Sequence, residues 1–435
     1  MLGWTRADLV VLTAIELEYQ AVLRVEAGAV PGSRWHEAEH RRLPIALREF
    51  VARDGRLLRV VVTRAPDMGK SPALTTLLPL VETFGPSCIA MCGVCAGRPG
   101  KTALGDVIAA ERLFDHDAGK EKPGRFEADL RTYSLPGPWK IARERFKPAA
   151  RFGGEAWWRD RPTPVEWQER WVLWQLRAGV ADPRSLSDSS ARCPQWPEVI
   201  DQLWQRGDLA RGSFTLTEQG RQRASEDAAR FREFPDLSPA SGTLPFRLHV
   251  APIGTGSAVI EDEAVWGFVS EHMRKTLGIE MEASALAEMV RARELVEPVK
   301  AVVMKGVMDF ANLGRDDHFK EYAARAAAEC LLAFLRDQLP VAPHTDDAAG
   351  AAVPPPQRAG APPDDARRLH GRLSKLTDPL FEKIVFLSAV DRTLMPAKAS
   401  PLSDRVLSLA ERAAHDPALV RRLAVLLDEH APWTR

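Results

Sequence analysis

Acidic residues beside predicted strands are the side chains of this sequence best suited to chemistry. Asp309 follows the apolar run VVMKGVM and opens a turn that contains an asparagine. Glu282 lies inside an apolar run, which is unusual for an acid unless its carboxylate has a partner. Glu16 and Glu18 follow the first apolar run of the chain. Carboxylates in such settings supply general acid–base catalysis, accept hydrogen bonds from hydroxyl groups and stabilise developing positive charge.

The elements that must position these acids alternate between strand and helix. Helices are predicted after the first strand and at 71–84, 261–276 and 317–338. Strands are predicted at 8–15, 56–65, 87–97, 105–115, 246–255 and 299–305. This alternation favours an α/β layer fold with a substantial sheet. Because such sheets bind ligands at the carboxyl ends of their strands, Asp309 is expected in a site.

The strand–helix pattern is interrupted between its two parts, which we assign to 1–149 and 241–338. Residues 150–240 contain seven of the twelve tryptophans and resemble a winged helix, with the LTxxGRxxA pattern near their end. The segment is either a nucleic-acid or ligand sensor or a structural or oligomerisation module. We favour the second, because the candidate recognition helix 197–207 has one arginine and two acids. We expect no nucleic-acid partner.

The last part of the chain is predicted to form a separate module. Residues 339–369 are rich in proline and alanine and show no apolar period, so we expect an extended linker. Residues 370–435 return to helical periodicity and predict a small bundle of three or four helices. The bundle has no candidate catalytic pair and is interpreted as a binding module for a protein partner.

Composition excludes several classes of protein. The chain has 59 basic and 59 acidic residues, so no net field attracts nucleic acid or acidic lipid. The N-terminal apolar run has acids close by and no cleavage pattern, and no window offers about 18 uninterrupted apolar residues for a membrane span. We expect a cytoplasmic protein with no membrane partner. Cys88, Cys92 and Cys95 lack a fourth ligand at typical spacing, so we interpret them as core residues rather than as a metal site.

Six motifs occur in an order that resembles a known enzyme superfamily. They are TAIELEYQAV (13–22), MGKSPA (68–73), GDVIAAERLFDHDAGK (105–120), APIGTGSAVIED (251–262), LGIEMEASALA (277–287) and VVMKGVMDFAN (302–312). Together they look like the nucleoside phosphorylase superfamily. The resemblance is closest to its methylthioadenosine/S-adenosylhomocysteine nucleosidase-like branch, in the form found as effector domains of bacterial defence proteins. It implies a three-layer α/β core with a mixed central sheet.

The resemblance also implies roles for the acids in cleaving the N-glycosidic bond of a purine nucleoside or nucleotide. Asp309 would donate a proton to N7 of the purine, and Glu18 would orient the attacking water. Glu282 would accept hydrogen bonds from the 2′- and 3′-hydroxyls of the ribose, and Met281 would pack on the sugar. The transition state of this reaction resembles an oxocarbenium ion, which nearby carboxylates stabilise. No cofactor or metal is implied.

Further candidates come from the same motifs. Glu16 and Glu280 are expected to face away from the site, and His116 is a candidate for the mouth of the pocket. The helix after residue 69 could hold an anion at its free amides. The remaining substrate-binding candidates are Met68, Gly69, Lys70, Gly93, Val94 and Phe310.

Two departures from the family pattern keep alternatives open. Purine phosphorylases hold phosphate with an arginine and a serine around the glycine of segment 91–97, where this chain has Met91 and Val94. Hydrolysis is therefore favoured over phosphorolysis. Many nucleosidases have a serine at the position of Met308, which supports the catalytic acid. A phosphorylase and a non-catalytic nucleotide sensor stay as alternatives. Cations that could replace the missing arginine are Lys70, Arg64 and Lys305.

The order of the segments suggests how such an enzyme is used. The C-terminal segment 370–435 resembles small effector-associated adaptor domains, which recruit a partner protein through helical contacts. A partner that senses invasion would then release an idle enzyme to deplete a purine nucleoside or nucleotide. Members of the superfamily usually pair their subunits, so a homo-oligomer is expected.

Overall fold

The chain divides into two compact units, Met1–Asp347 and Ala348–Arg435. The computed structural model describes residues 4–123, 125–134, 137–152, 156–231, 244–293, 299–312, 317–340, 369, 371–388, 402, 405–406, 408–409, 417–431 and 433. The predicted linker 339–369 lies almost wholly outside the described residues. In the described part of the chain, no helix combines the length and apolar character that crossing a membrane requires.

Twelve strands occur in the described residues of the first unit. They are β1 (Leu9–Thr13), β2 (His36–His40), β3 (Leu43–Val51), β4 (Leu57–Arg64), β5 (Cys88–Gly97), β6 (Val107–Asp115), β7 (Gly119–Lys122), β8 (Arg125–Ala128), β9 (Thr132–Ser134), β10 (Leu248–Thr255), β11 (Gly278–Glu280) and β12 (Lys300–Asp309). Strands β1, β4, β5 and β12 are almost entirely buried, as is typical of central parallel strands.

Helices connect and cover these strands. In the first unit they are α1 (Glu16–Leu23), α2 (Lys70–Phe84), α3 (Gly137–Arg145), α4 (Val165–Arg177), α5 (Ser189–Arg192), α6 (Trp196–Gln205), α7 (Glu218–Arg230), α8 (Val265–His272), α9 (Ser284–Arg293) and α10 (Phe319–Gln338). Short 3₁₀ helices occur at Pro148–Arg151, Trp157–Asp160 and Pro183–Ser185. The second unit contributes α11 (Asp378–Leu387) and α12 (Pro417–His430).

The central sheet is mixed, as predicted. Its strands follow the order β11-β10-β6-β12-β5-β1-β4-β3-β2, with β9 beside β6. Strand β5 runs parallel to β1 and β12, whereas β12 and β6 are antiparallel. Because β11 also pairs with β5, the strands β5, β12, β6, β10 and β11 close into a ring. The other strands continue the sheet from β5 outwards to β2.

Helices lie on both faces of the sheet, so the core has two apolar layers. Leu9 and Val11 of β1 face the layer that contains α1 and α10, and Val10 and Leu12 face the layer with α2 and α9. Helix α10 lies directly against β12, since a Cβ atom built on Gly306 would lie 2.1 Å from a backbone oxygen of α10. This arrangement fixes the backbone at the end of β12, where Asp309 lies.

Residues 165–230 form a core of their own within the first unit. The buried side chains of this core come from α4, α6, α7 and the segments between them. An isolated bridge joins Leu209 to Leu216 between α6 and α7. Trp157 lies before this core and packs instead against Phe246 and Tyr322 of the main core. The winged-helix-like assignment of this segment stays a prediction.

The second unit has a separate apolar core. Its buried residues include Leu373, Phe381, Ile384, Leu409, Leu423 and Leu427. The guanidinium of Arg405 is buried among them and binds the carboxylates of Asp378 and Glu382. The number of helices predicted for this segment and its recruiting role stay predictions.

Candidate active site

Three acids from distant parts of the sequence line one cavity of about 380 Å³. Glu18 comes from the first turn of α1, Glu282 from the turn after β11, and Asp309 from the last position of β12. All three lie at or just after the carboxyl end of a strand, where α/β sheets bind their ligands. Other residues that line the cavity are Met68, Val94, His116, Glu280, Met281 and Met308.

The carboxylate of Glu18 is held by backbone N–H groups. Its Oε2 accepts hydrogen bonds from the N–H of Ala14 at 2.8 Å and of Ile15 at 3.2 Å. Its Oε1 accepts one from the N–H of Val94 at 2.8 Å. A carboxylate oxygen has two acceptor positions, so Oε1 keeps one for a further donor among the described residues. Glu18 is therefore rigid and still able to bind a ligand hydrogen.

Glycine at position 93 permits this close approach. A Cβ atom on Gly93 would lie 2.1 Å from Oε1 of Glu18. Any larger residue at this position would push the carboxylate away from the N–H of Val94. Gly93 therefore acts on the cavity through Glu18 and does not line it.

Glu280 lines the cavity, which corrects the expectation that it faces away. Its carboxylate accepts hydrogen bonds from the hydroxyl of Thr255 at 2.7 Å and from the N–H groups of Glu282 and Ala283 at 2.9–3.0 Å. The ammonium of Lys305 lies 3.2 Å away. With its acceptor positions used in this way, Glu280 shapes the turn that carries Glu282.

The carboxylate of Glu282 accepts fewer hydrogen bonds than that of Glu280, and its counter-ion is further away. Its Oε1 accepts a hydrogen bond from the N–H of Gly69 at 2.9 Å, and its Oε2 lies 3.7 Å from the ammonium of Lys305. Burial raises the pKa of Glu282 to about 7, the charges of Glu280 and Glu18 raise it too, and Lys305 opposes them. Glu282 therefore changes its charge near neutral pH.

Lys305 is the buried counter-ion of these acids. Burial alone would lower the pKa of its ammonium, but the charges of Glu280, Glu18 and Glu282 raise that pKa above its usual value. The residue stays charged, and its charge is shared among the carboxylates that surround it. Lys305 is therefore paired with acids of the protein itself.

Asp309 is the last residue of β12 and is buried at the cavity. Its Oδ1 accepts a hydrogen bond from the N–H of Ala311 at 3.0 Å. Ala311 has a φ of 57°, in the left-handed region, and the chain bends directly after the acid. The side chain of Met308 beside it also lines the cavity.

The remaining walls are apolar, with two polar exceptions. Residues Ala258, Val259 and Ile260 after β10 form one side. His116 also lines the cavity, and burial lowers the pKa of its ring, although the charges of Asp117 and Glu280 oppose this. Lys320, in the first turn of α10, completes the lining.

Six of the ten sequence-predicted site residues line this cavity. They are Glu18, Met68, Val94, Met281, Glu282 and Asp309. Gly69 contributes a hydrogen bond to Glu282 rather than a surface to the cavity. The backbone oxygen of Phe310 accepts a hydrogen bond from the indole of Trp266, and its side chain packs in the core.

Lys70 is not brought into the cavity. Its ammonium lies 2.6 Å from the carboxylate of Glu288 and 3.3 Å from that of Asp115. Burial alone would lower the pKa of Lys70, but the hydrogen bond to Glu288 and the charge of Asp115 raise it. The predicted cation for a substrate phosphate is thus occupied by two acids of the chain.

Sequence reasoning missed Lys320 and the apolar wall 258–260. A signal for Lys320 existed, because it lies in the first turn of the helix that was predicted to follow the Asp309 turn. The three cysteines of β5 do not converge on one point: Cys88 and Cys92 belong to the layer with α10, and Cys95 belongs to the other.

No family model matches the chain. A curated relative, the uncharacterized protein y4jS of Sinorhizobium fredii (strain NBRC 101917 / NGR234), is 26% identical over 266 residues, which are 60% of this chain and 46% of that protein. The chain thus spans about half the length of the curated relative it matches.

Solved structures similar to the chain include two hydrolytic enzymes. One is the 5′-methylthioadenosine/S-adenosylhomocysteine nucleosidase of Neisseria meningitidis. The aligned region covers 75% of this chain and 98% of that enzyme's chain, with 14% sequence identity and a TM-score of 0.44. For the second, the futalosine hydrolase of Helicobacter pylori, it covers 76% of this chain and 97% of that enzyme's chain, with 12% sequence identity and a TM-score of 0.43. The first belongs to the branch that the sequence motifs resemble. At these values the similarity identifies neither substrate nor reaction.

Proposed function

We propose that the chain is a nucleosidase that hydrolyses the N-glycosidic bond of a purine nucleoside or nucleotide. The observation that carries this proposal is the convergence of Glu18, Glu282 and Asp309 on one cavity of about 380 Å³. Cavities of this size hold small molecules. The motif resemblance of the sequence assigns these same three acids to the reaction.

In the proposed reaction, Asp309 is the general acid. As the bond between the anomeric carbon and the purine nitrogen breaks, electrons move onto the base, and Asp309 delivers a proton to N7. Its Oδ1 accepts a hydrogen bond from the N–H of Ala311, which holds the carboxyl group at the cavity. Proton transfer by a positioned side chain contributes roughly 10²–10⁴-fold to a rate.

Glu18 is assigned to the attacking water. The position left on its Oε1 accepts one hydrogen of the water, whose oxygen forms the new bond to the anomeric carbon and whose proton passes to the carboxylate. The backbone N–H groups of Ala14, Ile15 and Val94 keep the carboxylate still during this step. Such fixed positioning lowers the entropic part of the barrier.

Glu282 and Met281 are assigned to the ribose. An ionised Glu282 accepts hydrogen bonds from the 2′- and 3′-hydroxyls, and it supplies negative charge near the developing oxocarbenium ion. Met281 offers an apolar surface on the same cavity wall. The turn held by Glu280 fixes both side chains relative to the other acids.

The charges around the cavity favour hydrolysis over phosphorolysis. Among the described residues, the lining contains four carboxylates and no arginine. Of the cations that could replace a phosphate-binding arginine, Lys70 and Lys305 are bound to acids and Arg64 lies 3.3 Å from Glu16. None of these three cations is therefore left for a phosphate that attacks the anomeric carbon.

The test is to incubate the purified full-length chain with adenosine, AMP, ATP, NAD and methylthioadenosine and to separate free base by chromatography. Each reaction is run with and without inorganic phosphate. We expect free adenine without phosphate, and ribose or its derivative as the second product. Base release that requires phosphate would identify a phosphorylase instead.

Binding of these compounds without any release of base would favour the sensor alternative. Calorimetric titration with the same nucleosides distinguishes this outcome from a cavity that binds none of them, which would contradict both proposals.

We also propose that residues 370–435 recruit a protein partner and that the chain is a cytoplasmic homo-oligomeric effector, as in a bacterial defence system. Support comes from the order of the segments and from the separate core of the second unit. Sedimentation of the purified chain tests the oligomer. Cross-linking of the isolated C-terminal segment in its native host extract, with an Arg405→Ala variant as control, tests the recruitment.

A further inference from the structure

Three lysines lie in or near the cavity, and they differ in what they bind. Lys70 is occupied by Glu288 and Asp115, and Lys305 by Glu280 and Glu282. The ammonium of Lys320 has no hydrogen bond or ion pair with any part of the chain that the structure describes, although the residue lines the cavity. Lys320 is thus a cation available to a ligand.

The acids of the cavity leave one end of a nucleoside, its 5′ position, without a partner. In the proposed function, Asp309 meets the base, and Glu18 and Glu282 meet the anomeric carbon and the ribose hydroxyls. The 5′ position is the remaining end of the ligand. The remaining walls contain His116, Lys320 and apolar residues, of which Val259 is 55% exposed and Met68 is 52% exposed; Lys320 is the cation among these described residues.

These walls should bind an apolar 5′ substituent and a 5′-phosphate with different affinities. An apolar substituent would cover the Lys320 ammonium without offering it an acceptor, and burying an unpaired charge is costly. A phosphate would pair with the ammonium through charge-assisted hydrogen bonds. The charge of Lys305 already offsets part of the charge on the acids deeper in the cavity, which reduces their repulsion of an anion at the mouth.

We propose that Lys320 makes this cavity select a nucleoside 5′-phosphate over an uncharged nucleoside. The inference rests on the proposed function for the identity of the ligand. Lys320 then binds the 5′-phosphate, and the substrate class is a purine nucleotide. Lys320 is a specificity-determining residue that contacts the substrate away from the bond that breaks.

The experiment compares AMP, adenosine and methylthioadenosine as substrates of the full-length chain. The variants are Lys320→Gln, which removes the charge, Lys320→Arg, which keeps it, and Lys101→Gln, a control at an exposed lysine outside the cavity lining. For Lys320→Gln, the ratio of kcat/KM for AMP to that for adenosine should fall about tenfold, as expected for one lost charge-assisted hydrogen bond. Lys320→Arg and Lys101→Gln should keep most of the ratio.

Calorimetric titrations with AMP and adenosine separate failure of this inference from failure of the proposed function. Base release with an unchanged ratio in Lys320→Gln overturns the inference and leaves the nucleosidase proposal standing. Methylthioadenosine cleaved better than AMP by the wild-type chain overturns it as well. AMP binding that weakens in Lys320→Gln, without base release from any compound, supports the phosphate site and rejects the nucleosidase.

Discussion

At the scale of single residues, the cavity depends on how the acceptor positions of its four carboxylates are used. Glu280 uses its positions on Thr255, on backbone N–H groups and on Lys305. Glu18 keeps one position on Oε1, and Glu282 binds one N–H and a distant ammonium. The three glutamates of the cavity therefore differ in role: Glu280 is structural, whereas Glu18 and Glu282 can bind a ligand.

Asp309→Asn should lower kcat for base release by about 10²–10⁴-fold, because an amide cannot donate the proton that a carboxylic acid gives to the base. The amide oxygen can still accept the hydrogen bond from the N–H of Ala311, so the turn and ligand binding should persist. Chromatographic rates and calorimetric Kd values measure the two effects.

Asp262→Asn is a matched control for this change. Asp262 accepts a hydrogen bond from the N–H two residues ahead, as Asp309 does, but it does not line the cavity. Its variant should keep the wild-type rate. Equal rates for the Asp309 and Asp262 variants would reject the proton-donor role.

Glu282→Gln should change the pH dependence of kcat/KM. Because burial raises the pKa of Glu282 to about 7, the ionised form that binds ribose hydroxyls increases as the pH rises through that value. The wild-type kcat/KM should rise between pH 6 and 8, about where a group of this pKa titrates, and the Gln variant should lack this rise at a lower plateau. An unchanged profile in the variant would assign the titration to another group.

The same shift has a consequence for stability with a definite sign. The pKa of Glu282 is raised from 4.5 to about 7 on folding, so the folded state holds this proton more tightly than the unfolded chain. The corresponding part of the free energy of unfolding is present at low pH and is lost as the pH rises through about 7. Denaturant titrations at several pH values should show a smaller loss for Glu282→Gln.

The sequence predicted that Glu18, Glu282 and Asp309 act in one site, because the motifs that contain them resemble those of one enzyme superfamily. It could not predict which neighbouring charges are already paired. Lys70 was chosen on its position before a helix, but its partners Asp115 and Glu288 come from distant elements. Long-range pairing of this kind depends on the sheet order, which spacing along the chain does not encode.

At the scale of elements, the approach of α1 to β5 determines where the carboxylate of Glu18 lies. Gly93→Ala should lower kcat about 100-fold, because its Cβ atom displaces the carboxylate of Glu18, and a shift of about 1 Å has effects of that size. The conflict is with a side chain rather than backbone, so the fold should persist. Initial rates and thermal unfolding measure both.

Gly267→Ala provides the control for adding the same methyl group. Gly267 lies inside α8 with nothing within 4 Å of its Cβ position. Alanine there should keep kcat and stabilise the chain by about 0.5–1 kcal/mol. Wild-type kcat in Gly93→Ala would show that the placement of Glu18 does not govern the rate.

Prediction of the elements worked best where a strand or helix is apolar along its length. The strands β1, β4, β5, β6, β10 and β12 and the helices α2 and α10 lie close to their predicted positions. Strand β2 was missed because its sequence HEAEH is polar, as suits the edge of a sheet. Strand β11 has only three residues, which is too short for a periodic pattern. It is held in the sheet by its pairing with β10 and β5.

At the scale of the whole molecule, each unit is stabilised by its own core. The buried cluster of the second unit contains residues from Leu369 onwards only, and the clusters of the first unit end at Leu339. A chain that ends at Asp347 should therefore keep base release, with a Tm within about 2 °C of that of the first unit in the full chain. Scanning calorimetry and initial rates test this.

A chain that ends at Ala328 is the control, since it removes Leu331 and Phe334 from the buried part of α10. It should lose the unfolding transition of the first unit. Loss of the transition already at Asp347 would show that the first unit depends on the second.

The pairing of β5 with β12 also has a consequence for how the protein is made. On the ribosome, β5 emerges early, but its partner from Lys300 to Asp309 is translated only after the whole of α4–α7. The insertion has a local core and can fold while the nascent sheet still lacks β12. Asp309 is thus synthesised after most of its unit, and the cavity that Glu18, Glu282 and Asp309 line cannot form before β12 has joined the sheet.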